Sequence, residues 1–92
     1  MQRERWRLRI YGKVQGVFFR KHAQMTAQAL GLSGFVQNMF DGSVLAEIEG
    51  EVENLERFTA WAHTGPPAAK VQKVEVEKGL PLLEESSFSI KG

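Results

Sequence analysis

The sequence predicts an α+β sandwich: an antiparallel sheet with two helices on one face, in the order strand, helix, strand, strand, helix, strand, closed by a short last strand. Three observations carry this reading. Apolar residues alternate near the start, two later stretches repeat apolar residues at helical spacing, and an Asp-Gly pair separates two strand-like runs in the middle. With 92 residues, 42% of them apolar, the chain is expected to form one domain over residues 1–92, too short for two cores.

Residues 5–11 alternate Trp6, Leu8 and Ile10 with Arg5, Arg7, Arg9 and Tyr11, the period of a strand with one buried face. The arginine row is expected on the solvent face of the sheet; an RNA-contacting stripe is the sharper alternative. From Phe19 onward, Phe19, Ala23, Ala27 and Leu30 recur at helical intervals, and Gly31 stands where helix C-termini favour glycine. Residues 35–38 and 44–49 read as strands joined through Asp41-Gly42 into a hairpin. In the second of them Val44, Ala46 and Ile48 face one way, Leu45, Glu47 and Glu49 the other. A second helix is expected over 51–63, burying Val52, Leu55, Phe58 and Ala62, with Glu51 and Glu53 in its first turn and Gly65-Pro66-Pro67 stopping it. Val71, Val74 and Val76 mark a strand whose alternation breaks between Val71 and Val74, the signature of a bulge, and Phe88 and Ile90 mark the short last strand. This order is the split βαβ, or ferredoxin-like, arrangement.

Composition excludes several function classes. The longest apolar runs, such as Val17-Phe18-Phe19, are too short to span a membrane, and no signal-like stretch follows the first residues, so a soluble cytoplasmic protein is expected. The absence of cysteine removes disulfides, thiolate nucleophiles and cysteine metal sites. His22 and His63 lie in no HExxH pattern or ligand cluster; both read as surface residues, and neither a metal nor a cofactor is expected. Ser33, Ser43, Ser86, Ser87 and Ser89 lack a nucleophile-elbow context. The net charge of +1 conceals an asymmetry: residues 1–40 hold seven Lys or Arg against one acid, residues 41–92 five against ten. Two readings of it stay open, an anionic partner met by the first part or mutual attraction of the two parts after folding. So small a net charge does not favour nucleic-acid tracking.

The segment from Gly12 to Arg20 lies where the first strand turns into the first helix. Helix-opening N–H groups lack intrahelical acceptors, and the helix dipole adds positive charge, so an anion fits there. Residues 12–20 contain no Ser, Thr, Asp or Asn to occupy those donors, and Arg20 could offer a phosphate two parallel hydrogen bonds. The plainer reading also fits: two glycines making a tight turn, water on the donors, and Arg20 paired with a distant glutamate. The glycine spacing is not that of a Walker loop.

Gly-Lys-Val-Gln-Gly-Val-Phe-Phe-Arg at 12–20, Gly-Leu-Ser-Gly-Phe-Val-Gln-Asn at 31–38 and Asp-Gly-Ser-Val at 41–44 together resemble the acylphosphatase family. The resemblance spans the chain in length and element order, but its specific motifs lie between Gly12 and Val44. Phe35 stands where the family often has tryptophan or tyrosine, and Leu45 where glutamate or glutamine is frequent. The resemblance implies hydrolysis of small-molecule acyl phosphates to carboxylate and inorganic phosphate, without metal, cofactor or covalent intermediate. It implies that main-chain N–H groups of Gln15, Gly16, Val17, Phe18, Phe19 and Arg20, with the Arg20 side chain, hold the phosphoryl group, while Asn38 positions the attacking water. A monomer without nucleic-acid or membrane partners is expected. The competing expectation is a non-catalytic module of the same fold that senses phosphate or binds RNA.

Overall fold

Trp6, Leu8 and Ile10 are buried on one face of β1 (Arg3–Lys13), which runs antiparallel between two neighbours in the sheet. A computed structural model describes residues 2–92. After β1 come α1 (Phe19–Ala29), β2 (Ser33–Asn38), β3 (Val44–Glu51), α2 (Val52–Ala62), β4 (Lys70–Leu80) and β5 (Phe88–Lys91). The sheet order is β4-β1-β3-β2-β5, so the expected ferredoxin-like α+β sandwich is present. Its sheet is mixed where an antiparallel one was expected: β5 pairs parallel to β2, with Val36 opposite Ile90. The segment after β4 crosses the sheet before entering β5, and that crossing sets the parallel direction.

Helix α1 buries Phe19, Ala23 and Ala27, the predicted stripe. Its C-terminus closes through Gly31 at φ 68°, with Leu32 N–H donating to the Ala27 carbonyl at 2.8 Å and Gly31 N–H to that of Gln28 at 3.1 Å. That is a Schellman closure, and it explains the glycine. Helix α2 begins one residue later than expected, because Glu51 is still the last residue of β3 and serves as the helix N-cap. The predicted bulge is present: Tyr11 lies opposite Lys73 but Gly12 opposite Val71, leaving Gln72 unpaired with β1. Gly12 is required at this bulge, since at φ 127° an added Cβ would lie 2.1 Å from the Lys70 carbonyl oxygen.

The core lies between the sheet and the two helices, and three aromatic contacts tie its end together. Phe19 of α1 packs on Trp61 of α2 with ring centroids 5.1 Å apart, and Phe58 packs on both Trp61 and Phe88 of β5. The first residue of α1 is therefore anchored on α2 through Trp61, and the loop before it inherits a fixed end.

The opposite face corrects the expectation of a solvent-facing arginine row at Arg5, while Arg7 and Arg9 stay partly exposed. Arg5 is buried: its Nε donates to Glu47 at 2.9 Å, and its Nη1 donates to Glu49 at 3.1 Å and to Glu85 at 2.9 Å. Glu49 also accepts the N–H groups of Leu83 and Glu84, each at 2.8 Å, which draws the segment between β4 and β5 over the sheet. Arg7 pairs with Glu47 and Glu77, and Arg9 with Asp41. The basic first part and the acidic second part thus meet as cross-strand ion pairs, the second of the two open readings of the charge asymmetry.

Candidate active site

β1 delivers the chain to Lys13, and the five residues that follow connect it to α1. Positive φ occurs at Gly16 (73°) and at Phe18 (63°), while Gln15, Val17 and Phe19 have negative values. Such alternation turns successive main-chain N–H groups inward around a concavity, the geometry that receives an anion. Among the described residues, no main-chain N–H from 15 to 20 donates to another group of the protein. Helix α1 has neither a side-chain cap nor an acidic residue in its first turn, as the sequence implied. The Cβ of a bulky residue in this left-handed region collides with backbone, so Phe18 is a strained cap held by its neighbours.

A cavity of about 320 Å³ opens beside this loop, lined by Val14, Gly16, Phe18, Phe19, Arg20, Lys21, Asn38 and Ile90. Of the candidate residues, Gly16, Phe18, Phe19, Arg20 and Asn38 are therefore brought together. Val17 and Gln15 do not line it; the Val17 side chain is buried in the core. Phe19 is also a core side chain, so it reaches the cavity only at its edge.

Arg20 has no Asp or Glu partner among the described residues; its Nη1 donates to the oxygens of Lys91 at 3.2 Å and Gly92 at 3.3 Å. The distant glutamate of the plainer reading is absent there. Asn38 ends β2, and its Oδ1 is buried without a hydrogen-bond donor. An orphaned buried acceptor at the edge of a cavity is costly unless something in the cavity donates to it.

The Gln15 side chain has a function that sequence reasoning missed. Its Nε2 donates to the Met39 carbonyl at 2.8 Å and to the Ser43 carbonyl at 2.9 Å, clasping the turn between β2 and β3 to the loop. That turn is further braced by Ser43, whose N–H and Oγ–H both donate to Asp41 and whose Oγ accepts from Arg9 Nε at 3.0 Å. The Ser43 hydrogen bonds hold the Asp41 carboxyl below the usual carboxylate range, with Arg9 adding to the effect. Ser43 is structural, consistent with discounting it as a nucleophile.

The acylphosphatase family model matches residues 6–90. An acylphosphatase of Azoarcus sp. (strain BH72) is 57% identical over 74 residues, covering 80% of this chain and 76% of the relative. One of Thermococcus kodakarensis is 52% identical over 77 residues, covering 84% and 85%. The crystal structure of an acylphosphatase from Bacillus subtilis superposes with a TM-score of 0.94 at 35% identity, covering 97% of this chain and 99% of that one.

Proposed function

The chain belongs to the acylphosphatase family, and from that premise we propose how its cavity carries out the family's reaction. The protein is an enzyme that hydrolyses the carboxyl-phosphate bond of acyl phosphates to carboxylate and inorganic phosphate. In our reading the phosphoryl group sits in the loop of residues 15–20, its oxygens accepting main-chain N–H groups and the Arg20 guanidinium. The observation that carries this is the alternating φ pattern of unpaired N–H groups on a cavity shared with Arg20 and Asn38.

Asn38 Oδ1 accepts a hydrogen of the attacking water and leaves the water's lone pair free to face phosphorus. The new O–P bond forms as the bond from phosphorus to the acyl oxygen breaks in line with it, and the electron pair leaves on the carboxylate. An amide is too weak a base to take the water's proton, so that proton passes to a phosphoryl oxygen. Carboxylate is a weakly basic leaving group and needs no general acid. Charge on the equatorial oxygens is met by donors already in place, so positioning and electrostatics supply the catalysis. None of the cavity-lining residues is a carboxylate or an imidazole, which supports turnover without a metal. We take the acting species to be a cytoplasmic monomer, with residues 1–92 as one domain. Engagement of Arg5, Arg7 and Arg9 by acids of β3, β4 and their loops disfavours the RNA-binding alternative.

Release of phosphate from benzoyl phosphate in the presence of a chelator tests the activity, and Asn38→Ala tests the residue assignment. We expect turnover to fall about a hundredfold or more while inorganic phosphate still inhibits at its wild-type concentration. Normal turnover by Asn38→Ala would remove the amide from the mechanism.

A further inference from the structure

The cavity is larger than a phosphoryl group requires. A group of that size displaces about two or three waters of ~30 Å³ each, well short of the 320 Å³ available. Two lining residues are large, apolar and open to solvent: Phe18 is 75% exposed and Ile90 41% exposed. They come from different elements, the cap of α1 and strand β5, and share one cavity.

Phe18 is the more informative. An aromatic residue at φ 63° carries a strain that glycine would not, and at 75% exposure its ring recovers little by packing. Strain without packing in return points to a role in binding. The ring is also well placed for one. Its backbone is fixed on one side by the Gly16 turn and on the other by Phe19, stacked on Trp61. Ile90 is held in register opposite Val36. Of the apolar residues that line the cavity, Phe18 and Ile90 are the exposed ones, so an acyl group reaching out of the phosphoryl site meets them at the cavity mouth.

We propose that Phe18 and Ile90 form an acyl subsite that selects acyl phosphates with a flat, apolar acyl group, an aryl or extended alkyl carboxylate, over those of acetyl or carbamoyl size. The inference rests on the phosphoryl site proposed above. It is read from the ratio of kcat/KM for benzoyl phosphate to that for acetyl phosphate, each variant compared with wild type so that intrinsic reactivities cancel. Phe18→Gly keeps a residue that tolerates the left-handed backbone and removes the ring without adding a side-chain cap to the helix; Ile90→Thr keeps the branched shape and leaves the loop untouched. The ratio should fall about fivefold to tenfold in Phe18→Gly and about threefold in Ile90→Thr, with inhibition by inorganic phosphate within about twofold of wild type in Ile90→Thr. An unchanged ratio in both variants overturns the subsite and leaves the phosphoryl site standing. If Phe18→Gly weakens both substrates and phosphate alike, the Ile90→Thr ratio decides. Failure of the underlying site reading has a different signature: Arg20→Ala would then keep wild-type phosphate inhibition.

Discussion

Arg20 is held by oxygens of Lys91 and Gly92 at the end of the last strand rather than by an Asp or Glu side chain. Removing it as Arg20→Ala should weaken phosphate inhibition about tenfold to a hundredfold and lower turnover by more, because the developing charge is greatest in the transition state. Arg20→Lys should recover little of either, since one ammonium cannot reproduce a fork that donates to main-chain oxygens and to phosphate together. Inhibition constants and kcat for both variants check this; near-normal kinetics in Arg20→Lys would show that a point charge suffices. Gln15 acts differently, through the clasp of its amide on the turn that follows Asn38. Gln15→Ala should lower kcat about tenfold with a smaller change in phosphate inhibition, and stability by ~1–3 kcal/mol for two lost hydrogen bonds. Gln15→Glu should be worse, as it sets a carboxylate against two carbonyl oxygens. The main-chain part of Gln15 was legible in the sequence because it belongs to a local motif. Its side-chain clasp was not, since the two acceptors lie 24 and 28 residues away.

At the scale of elements, the loop is placed by what flanks it. Strand β1 ends in a bulge that brings Gly12 against the Lys70 carbonyl, and α1 starts with an aromatic residue locked in the core. Gly12→Ala forces either the bulge or the end of β1 to move, because the clash is with backbone. The expected loss is ~2–4 kcal/mol, read from denaturant midpoints, with activity lowered in the fraction that folds. Gly16→Ala is the useful contrast: nothing lies within 4 Å of its added Cβ, so only the φ of 73° is strained and the stability loss should be smaller. The strands and helices were readable because periods of two and of about 3.6 mark burial directly, and the break between Val71 and Val74 was readable as a bulge for the same reason. The parallel direction of β5 was not, because four residues with Phe88 and Ile90 facing one way give no indication of their neighbour.

Over the whole molecule, one sheet separates an apolar face covered by helices from a charged face built on Arg5. The alternation of β1 could not distinguish this charged face from a solvated one: Arg5 is buried only because acids 42, 44 and 80 residues away converge on it. The two faces are linked through the chain, since the segment that Glu49 and Arg5 draw over the sheet leads into β5. That strand carries Ile90 into the cavity and Lys91 to Arg20. Burial alone would raise the Glu49 carboxyl, but the N–H of Leu83, the Arg5 guanidinium and the N–H of Glu84 outweigh it and hold the group below its ordinary value. Burial likewise opposes, and Arg5 and Arg7 overcome, at Glu47, which is also lowered. With folded values below unfolded ones of about 4.3, the unfolded state binds more protons in the interval between them. The stabilisation is therefore complete above that range and is lost as pH falls through the folded values. Wild-type stability should decline steeply below about pH 4. Glu49→Gln should cost ~1–3 kcal/mol at pH 7, and its difference from wild type should shrink toward pH 2, where the wild-type carboxyl is itself protonated. Urea midpoints of both proteins at a series of pH values measure this directly. A gap that stayed constant from neutral to strongly acid pH would mean that Glu49 fixes the crossing segment by shape and hydrogen-bond count alone, with its charge contributing nothing.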